Sequence, residues 1–190
     1  MKRYTILVRR WWTVALALVL LVMTSGTVGA STVPVPSLTG GTTGARVVYF
    51  TPVVIVIAVV YCLERRLPSV ESTAVVPVHR LDQGAVTLTA VLAQGAGLFV
   101  GLDVARNIIL LLALALLTRR LANEATAAMA GLLFLILNLM LGRVYDADGH
   151  TTHTWWALAL YPAASMTAWV ISVVLFVLAL KLSAVRRPAW

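Results

Sequence analysis

Charged side chains are scarce in this chain. Only 12% of its 190 residues are Asp, Glu, Lys or Arg, against 61% hydrophobic. A soluble domain carries about a quarter charged and about half apolar. Mean hydropathy is +0.94, and several runs approach the ~20 apolar residues that cross a bilayer. The sequence therefore reads as a multi-pass protein of the cell membrane, with too little polar sequence for a separate soluble domain. Cysteine is almost absent: Cys62 stands alone, which excludes an internal disulfide, and its place in an apolar run points to packing rather than redox or metal chemistry. Lysine occurs only at Lys2 and Lys181, neither in the glycine-rich context of a P-loop. There is no GxSxG nucleophile elbow and no Cys–His pairing suggested by position. These absences point away from an enzyme and from a bound cofactor. No internal repeat is visible.

The positive charge that is present is not spread as a nucleic-acid binder would spread it. The net charge is +8, and the basic residues stand in short clusters: Lys2, Arg3, Arg9 and Arg10; Arg65 and Arg66; Arg119 and Arg120; Arg186 and Arg187. Clusters at the ends of apolar runs are what cytoplasmic flanks look like, so nucleic acid is not an expected partner and the lipid bilayer is.

Hydropathy marks four spans clearly, over about 11–30, 47–63, 125–142 and 157–180. The stretch 85–117 is ambiguous. As one helix its 33 residues would reach roughly 50 Å, beyond a ~30 Å hydrocarbon core, and would bury Asp103, Arg106 and Asn107. Split near Gly101 it becomes two spans, 85–101 and 104–118, with Gly101 free to turn and Asp103 placed to cap the second helix. The second is short, so Arg119 and Arg120 must snorkel or the bilayer must thin.

Flanking charge chooses between these. Six spans with both termini inside put residues 2, 3, 9, 10, 65, 66, 80, 119, 120, 181, 186 and 187 on the cytoplasmic side, twelve against Arg46, Arg106 and Arg143 outside. Five spans, with Arg106 left in the membrane, give eight against six. The positive-inside rule prefers six. Trp11, Trp12 and Tyr61 then fall near the inner surface, and Tyr49, Tyr145, Trp155, Trp156 and Tyr161 near the outer one. The expected fold is a single all-α transmembrane domain over 1–190, a six-span helical bundle with cytoplasmic termini. Five spans is the alternative, through a re-entrant hairpin or removal of the first segment, whose basic start, apolar core and Val28-Gly29-Ala30 resemble a signal peptide. The main cytoplasmic loop is 64–84, broken by Pro68 and Pro77; 31–45 and 143–156 are external loops.

Three groups of residues invite a functional reading. Ala93, Gly97, Gly101 and Ala105 recur every four residues, a flat stripe on which another helix can approach closely; it serves packing within the hairpin or contact with a second copy of the chain. Asp103, Arg106 and Asn107 share one helix face. They read as an ion or substrate contact at the mouth of a pathway, or as a cap plus an Arg snorkelling to headgroups. Asn138 is a single amide suited to a helix–helix hydrogen bond. Asp146, Asp148, His150 and His153 suggest a metal, but Gly149 is misplaced for a calcium loop and no HExxH is present, so a solvated turn is the better account and no metal is expected.

GLDVARNIILLLALALLTRRL and HTTHTWWALALYPAAS resemble actinobacterial membrane proteins of permease type, and the six-span plan with its main cytoplasmic loop after span two is similar to permease subunits of bacterial ABC-type exporters. The two stretches cover about a fifth of the chain. The resemblance implies a membrane-embedded transport subunit working with a separate ATPase, with a second copy of itself as a further partner. It casts Glu64, Arg65, Arg66, His79 and Arg80 as the segment contacting the ATPase. The chain is short for such a permease, and its prolines interrupt any long coupling helix. The alternative is a non-transporting scaffold or accessory protein that stabilises another membrane complex.

Overall fold

A computed structural model describes residues 10–36, 42–65, 78–145 and 151–184. They form six α-helices: α1 Trp12–Thr27, α2 Thr51–Glu64, α3 Val78–Val100, α4 Leu102–Leu121, α5 Glu124–Leu141 and α6 Met166–Ala184. Two antiparallel ribbons accompany them, β1 Thr32–Pro36 with β2 Thr42–Arg46 and β3 Arg143–Tyr145 with β4 Thr151–His153. The chain is thus mostly helical but not all-α, and the expected loops 31–45 and 143–156 contain this extended structure. Short 3-10 turns occupy Val47–Phe50 and Leu158–Leu160.

Local chemistry explains most helix ends. Pro52 sits in the first turn of α2, where its missing N–H is no loss. Asn123 caps α5 by accepting from the Thr126 amide at 3.0 Å. Gly101 separates α3 from α4 by itself, at φ 135°, a conformation open to glycine because it has no Cβ. The split of 85–117 into two helices is therefore present at Gly101, with the second helix starting at Leu102, two residues before the expected 104.

Other boundaries differ from expectation. The third helix begins at Val78, directly after Pro77, so Val78–Gly84 is helix rather than loop and the connection from α2 shortens to 65–77. Helix α4 runs for 20 residues from Leu102 to Leu121, roughly 30 Å, but it includes Asp103 and Arg106 and, in its last turn, Arg119 and Arg120, and it is not among the helices apolar enough to cross a membrane by composition. The last helix starts at Met166, not near residue 157. Tyr161, ahead of Pro162, is extended at ψ 144°, as a residue before proline prefers, and the apolar stretch before it folds as a turn rather than as helix.

Successive helices run in opposite directions. One end of the molecule carries both ribbons and the 3-10 turns. The opposite end gathers Arg10, Arg65, Arg80, Arg119, Arg120 and Lys181 among the described residues. Helix α4 is the hub, packed against α2, α3, α5 and α6, and its side chains from Val104 to Ala113 are all buried. A helix covered on all sides is one whose neighbours supply every face.

The outer helices are apolar on their exposed faces as well. Leu16 and Val19 of α1, Leu88, Val91, Leu98 and Phe99 of α3, and Val170, Val174 and Leu178 of α6 all point outward. Soluble surfaces rarely present such contiguous apolar area. Three helical stretches, Val47–Glu64, His79–Val100 and Met166–Ser183, are long and apolar enough to cross a membrane, and Trp12–Thr27 and Ala125–Leu141 are shorter apolar helices.

Candidate functional site

The polar trio at the start of α4 forms the most elaborate polar constellation described. Arg106 is 0% exposed and Asn107 1%, deep between α4 and the segment leading to α6. The Arg106 guanidinium donates to the carbonyl of Pro162 at 3.0 Å and to that of Tyr161 at 2.8 Å. Longer contacts join it to the Ala159 carbonyl at 3.5 Å and to Asn107 Oδ1 at 3.4 Å. Asn107 Nδ2 donates to the same Ala159 carbonyl at 3.0 Å. Buried donors need acceptors, and the carbonyls of this non-helical segment supply them; the Pro162 carbonyl also accepts from the Ser165 amide at 3.0 Å. Sequence proximity along one helix face brings the pair together; only the fold brings them to 159–162.

This geometry corrects two expectations. Arg106 does not snorkel to headgroups, because it is wholly enclosed. Asp103 makes no capping bond: the helix N-cap is Gly101 and no side chain caps it. Asp103 instead sits in the first helical turn, partly exposed, with Oδ1 close enough to Gly101 that an added Cβ would lie 2.6 Å away. Negative charge in a first turn still suits the helix dipole.

The seat for 157–162 is shaped by a second glycine. A Cβ on Gly142 would lie 2.7 Å from Ala157 Cβ and 2.8 Å from Leu160 Cδ1, so the end of α5 admits the turn only because residue 142 has no side chain. Nearby Asn138 is fully buried, but its amide donates to Phe134 of its own helix at 2.8 Å and not across a helix pair as expected. Its Oδ1 has no hydrogen-bond partner among the described residues.

The small-residue stripe is internal. Ala93 and Ala105 are each 0% exposed, and a Cβ on Gly97 would lie 2.5 Å from Ala105 Cβ. Gln94 reaches across the same contact to the Ala105 carbonyl at 3.4 Å. The stripe lies in the contact that pairs α3 with α4, with Gly101 half-buried at its end.

At the basic end, a cleft of about 60 Å³ lies where α2, α3, α4 and α6 meet, with His79, Asp82, Gln83, Arg119 and Ser183 as its polar lining. Arg119 donates to the Leu63 carbonyl at 3.0 Å, and Gln83 to the Leu180 carbonyl at 2.9 Å. Each satisfies a carbonyl near a helix C-terminus, a group the helix itself leaves open or only weakly bonded. Asp82 is 8% exposed. Sequence reasoning passed over Asp82 and Gln83 because 64–84 was read as loop; a helix begun at Val78 would have placed His79, Asp82, Gln83 and Val86 on one face.

Of the remaining candidates, Glu64 ends α2 and is exposed, and Arg65 lies over the Tyr61 ring at 5.1 Å. His79 and Arg80 are exposed in the first turn of α3. Arg66, Asp146, Asp148 and His150 lie outside the described residues. His153, on β4, stands 6.2 Å from the Tyr161 ring, and partial desolvation, with Arg143 adding, holds its imidazole below the ordinary value. Among the described residues no group of three His, Cys, Asp or Glu side chains could hold a metal ion. What the Arg106–Asn107 constellation can do chemically is hold backbone: it contains donors matched to carbonyls. Comparison with protein-family models, with curated proteins and with solved structures returned no match.

Proposed function

We propose that the chain is a six-span subunit of the cell membrane with both termini cytoplasmic, and that it works by docking a partner at its basic end. The reading that combines this with the resemblance is a permease-like subunit of an ABC-type exporter, acting with a separate ATPase. The observation that carries it is the grouping at one end of exposed Arg65, His79 and Arg80 around the 65–77 connection, opposite the end that bears both ribbons. Retained positive charge makes that end cytoplasmic, where an ATPase would be found. The test is co-purification from native membranes of the full chain with a nucleotide-binding protein. Charge reversal at Arg65 and Arg80 should abolish it, and loss of the chain should reduce export of a substrate. An unchanged association would overturn the docking site.

The second reading is a non-transporting scaffold or accessory protein, and one observation favours it. Arg106 and Asn107 direct their donors to carbonyls of their own chain, and α4 is packed on all sides, so this polar pair is not disposed along a route through one copy. Capture of a membrane complex lacking an ATPase, with export unaffected by deletion of the chain, would decide for this reading.

A further inference from the structure

Helices α1 and α2 pack as an antiparallel pair that does not close along its outer face. An apolar groove of about 340 Å³ remains, lined by Thr13, Leu16, Leu20, Val54, Ile57 and Tyr61 with two alanines, Ala17 and Ala58, at its floor. The lining residues fall at i, i+3, i+4 and i+7 on both helices, so the groove runs straight from Thr13 beside Tyr61 to Leu20 beside Val54. Seven residues at helical rise make it roughly 10 Å long.

One end of the groove is positively charged. Arg65 rests over the ring of Tyr61 at 5.1 Å, a contact that keeps the cation at the groove's rim. Arg10 is exposed and adopts φ 52°; its carbonyl accepts from Thr13 Oγ1 at 2.9 Å and from Cys62 Sγ at 3.4 Å. Those bonds tie Arg10 to both helices at the same end. In the sequence Lys2, Arg3 and Arg9 precede it and Arg66 follows Arg65, with Glu64 beside Arg65. The opposite end of the groove, at Leu20 and Val54, is apolar.

We propose that this groove seats an acyl chain of an anionic phospholipid whose phosphate is held by Arg10 and Arg65. The groove's length fits an acyl chain: one leaflet's hydrocarbon is about half of the ~30 Å core, and the groove ends within it. Charge selects an anionic headgroup, because the rim lies at the basic end and the cytoplasmic leaflet is the anionic one. The proposal rests on the membrane placement with the basic end cytoplasmic; it shares Arg65 with the proposed docking site, and Arg10→Gln and Ala58→Phe, which leave that site unchanged, separate the two.

The test uses the full chain in nanodiscs of phosphatidylcholine containing a minor share of phosphatidylglycerol with a photoactivatable acyl chain. Native mass spectrometry should show phosphatidylglycerol retained over phosphatidylcholine, and cross-links should map to Leu16, Leu20, Val54 or Ile57. Removing each arginine (Arg10→Gln, Arg65→Gln) should weaken the preference by roughly five-fold, the factor that ~1 kcal/mol per basic residue near an anionic surface represents. Ala58→Phe should fill the groove and abolish the cross-link while leaving both arginines in place. Should that variant fail to fold, the two arginine variants carry the test alone. Equal retention of the two lipids, insensitivity to both arginine changes, or cross-links joining two protein chains through this groove would each overturn the proposal.

Discussion

Arg106 shows how one residue in an apolar fold can be structural in an unusual way. An uncompensated guanidinium at bilayer depth is costly, yet here it meets carbonyls that also need partners, so each group offsets the other's desolvation. Arg106→Ala removes the donors to Tyr161 and Pro162; the Pro162 carbonyl keeps the Ser165 amide at 3.0 Å, and the half-buried Tyr161 carbonyl loses its partner. We expect a loss of about 1–3 kcal/mol, the cost of leaving one such group unpaired. Arg106→Lys should recover only part, since an ammonium lacks the planar fork that reaches two carbonyls together. Thermal unfolding of the detergent-solubilised chain measures both; a variant as stable as the parent would refute the cage. His153 is the corresponding residue for pH. Its folded value lies below the ordinary 6.5, mainly through desolvation and then through Arg143. The folded ribbon thus favours neutral imidazole. Its contribution to stability is intact above pH 6.5 and declines as pH falls below that value, because the unfolded chain takes up the proton first. An NMR titration should place the His153 midpoint below 6.5, and Arg143→Gln should raise it. A midpoint at or above 6.5 would contradict the assignment.

The α3–α4 hairpin carries its geometry in two glycines. Gly97 lets Ala105 approach to a distance that no side chain at 97 would permit, and Gly101 turns the chain at φ 135°. Gly97→Leu should force the helices apart at a cost of about 1–3 kcal/mol, the usual penalty of overpacking. Gly101→Ala adds backbone strain of a similar ~1–3 kcal/mol. Chemical denaturation of both variants checks this, and the double variant should be less stable than either. The hairpin was legible in the sequence because a glycine and three polar residues interrupt an apolar run. The start of α6 was not. Residues 157–165 are as apolar as a span, and only Pro162 hints at a break; what excludes helix there is a set of donors some fifty residues earlier in the chain. The start of α3 was missed for the opposite reason, since its first turn is polar and reads as a flank until its contacts with α4 and α6 are known.

For the whole molecule, the decisive relation is that polarity is segregated by end, with the ribbons at one pole and most described basic residues at the other. Single cysteines introduced at Leu102 and Arg120 in a Cys62→Ser background should label from opposite sides of the membrane, the first from outside and the second from inside. Labelling of both from one side would remove the six-span arrangement. Cys62→Ser suits this background because the polar contacts of the thiol include Thr13 Oγ1 at 3.2 Å and the Arg10 carbonyl at 3.4 Å, both of which a serine hydroxyl can make.

Composition by itself pointed to the class: few charges, and apolar runs of which three fold as helices long and apolar enough to cross a membrane, with arginine placed where runs end. It also determined the break at Gly101, since that signal is local. Only the tertiary structure decided what GLDVARN is for. The side-chain spacing put Arg106 and Asn107 on one face, but whether that face met headgroups, a pathway or protein depended on where 157–162 came to rest. That segment rests against the start of α4 because the buried guanidinium and amide of Arg106 and Asn107 need acceptors, and the carbonyls of Ala159, Tyr161 and Pro162 supply them.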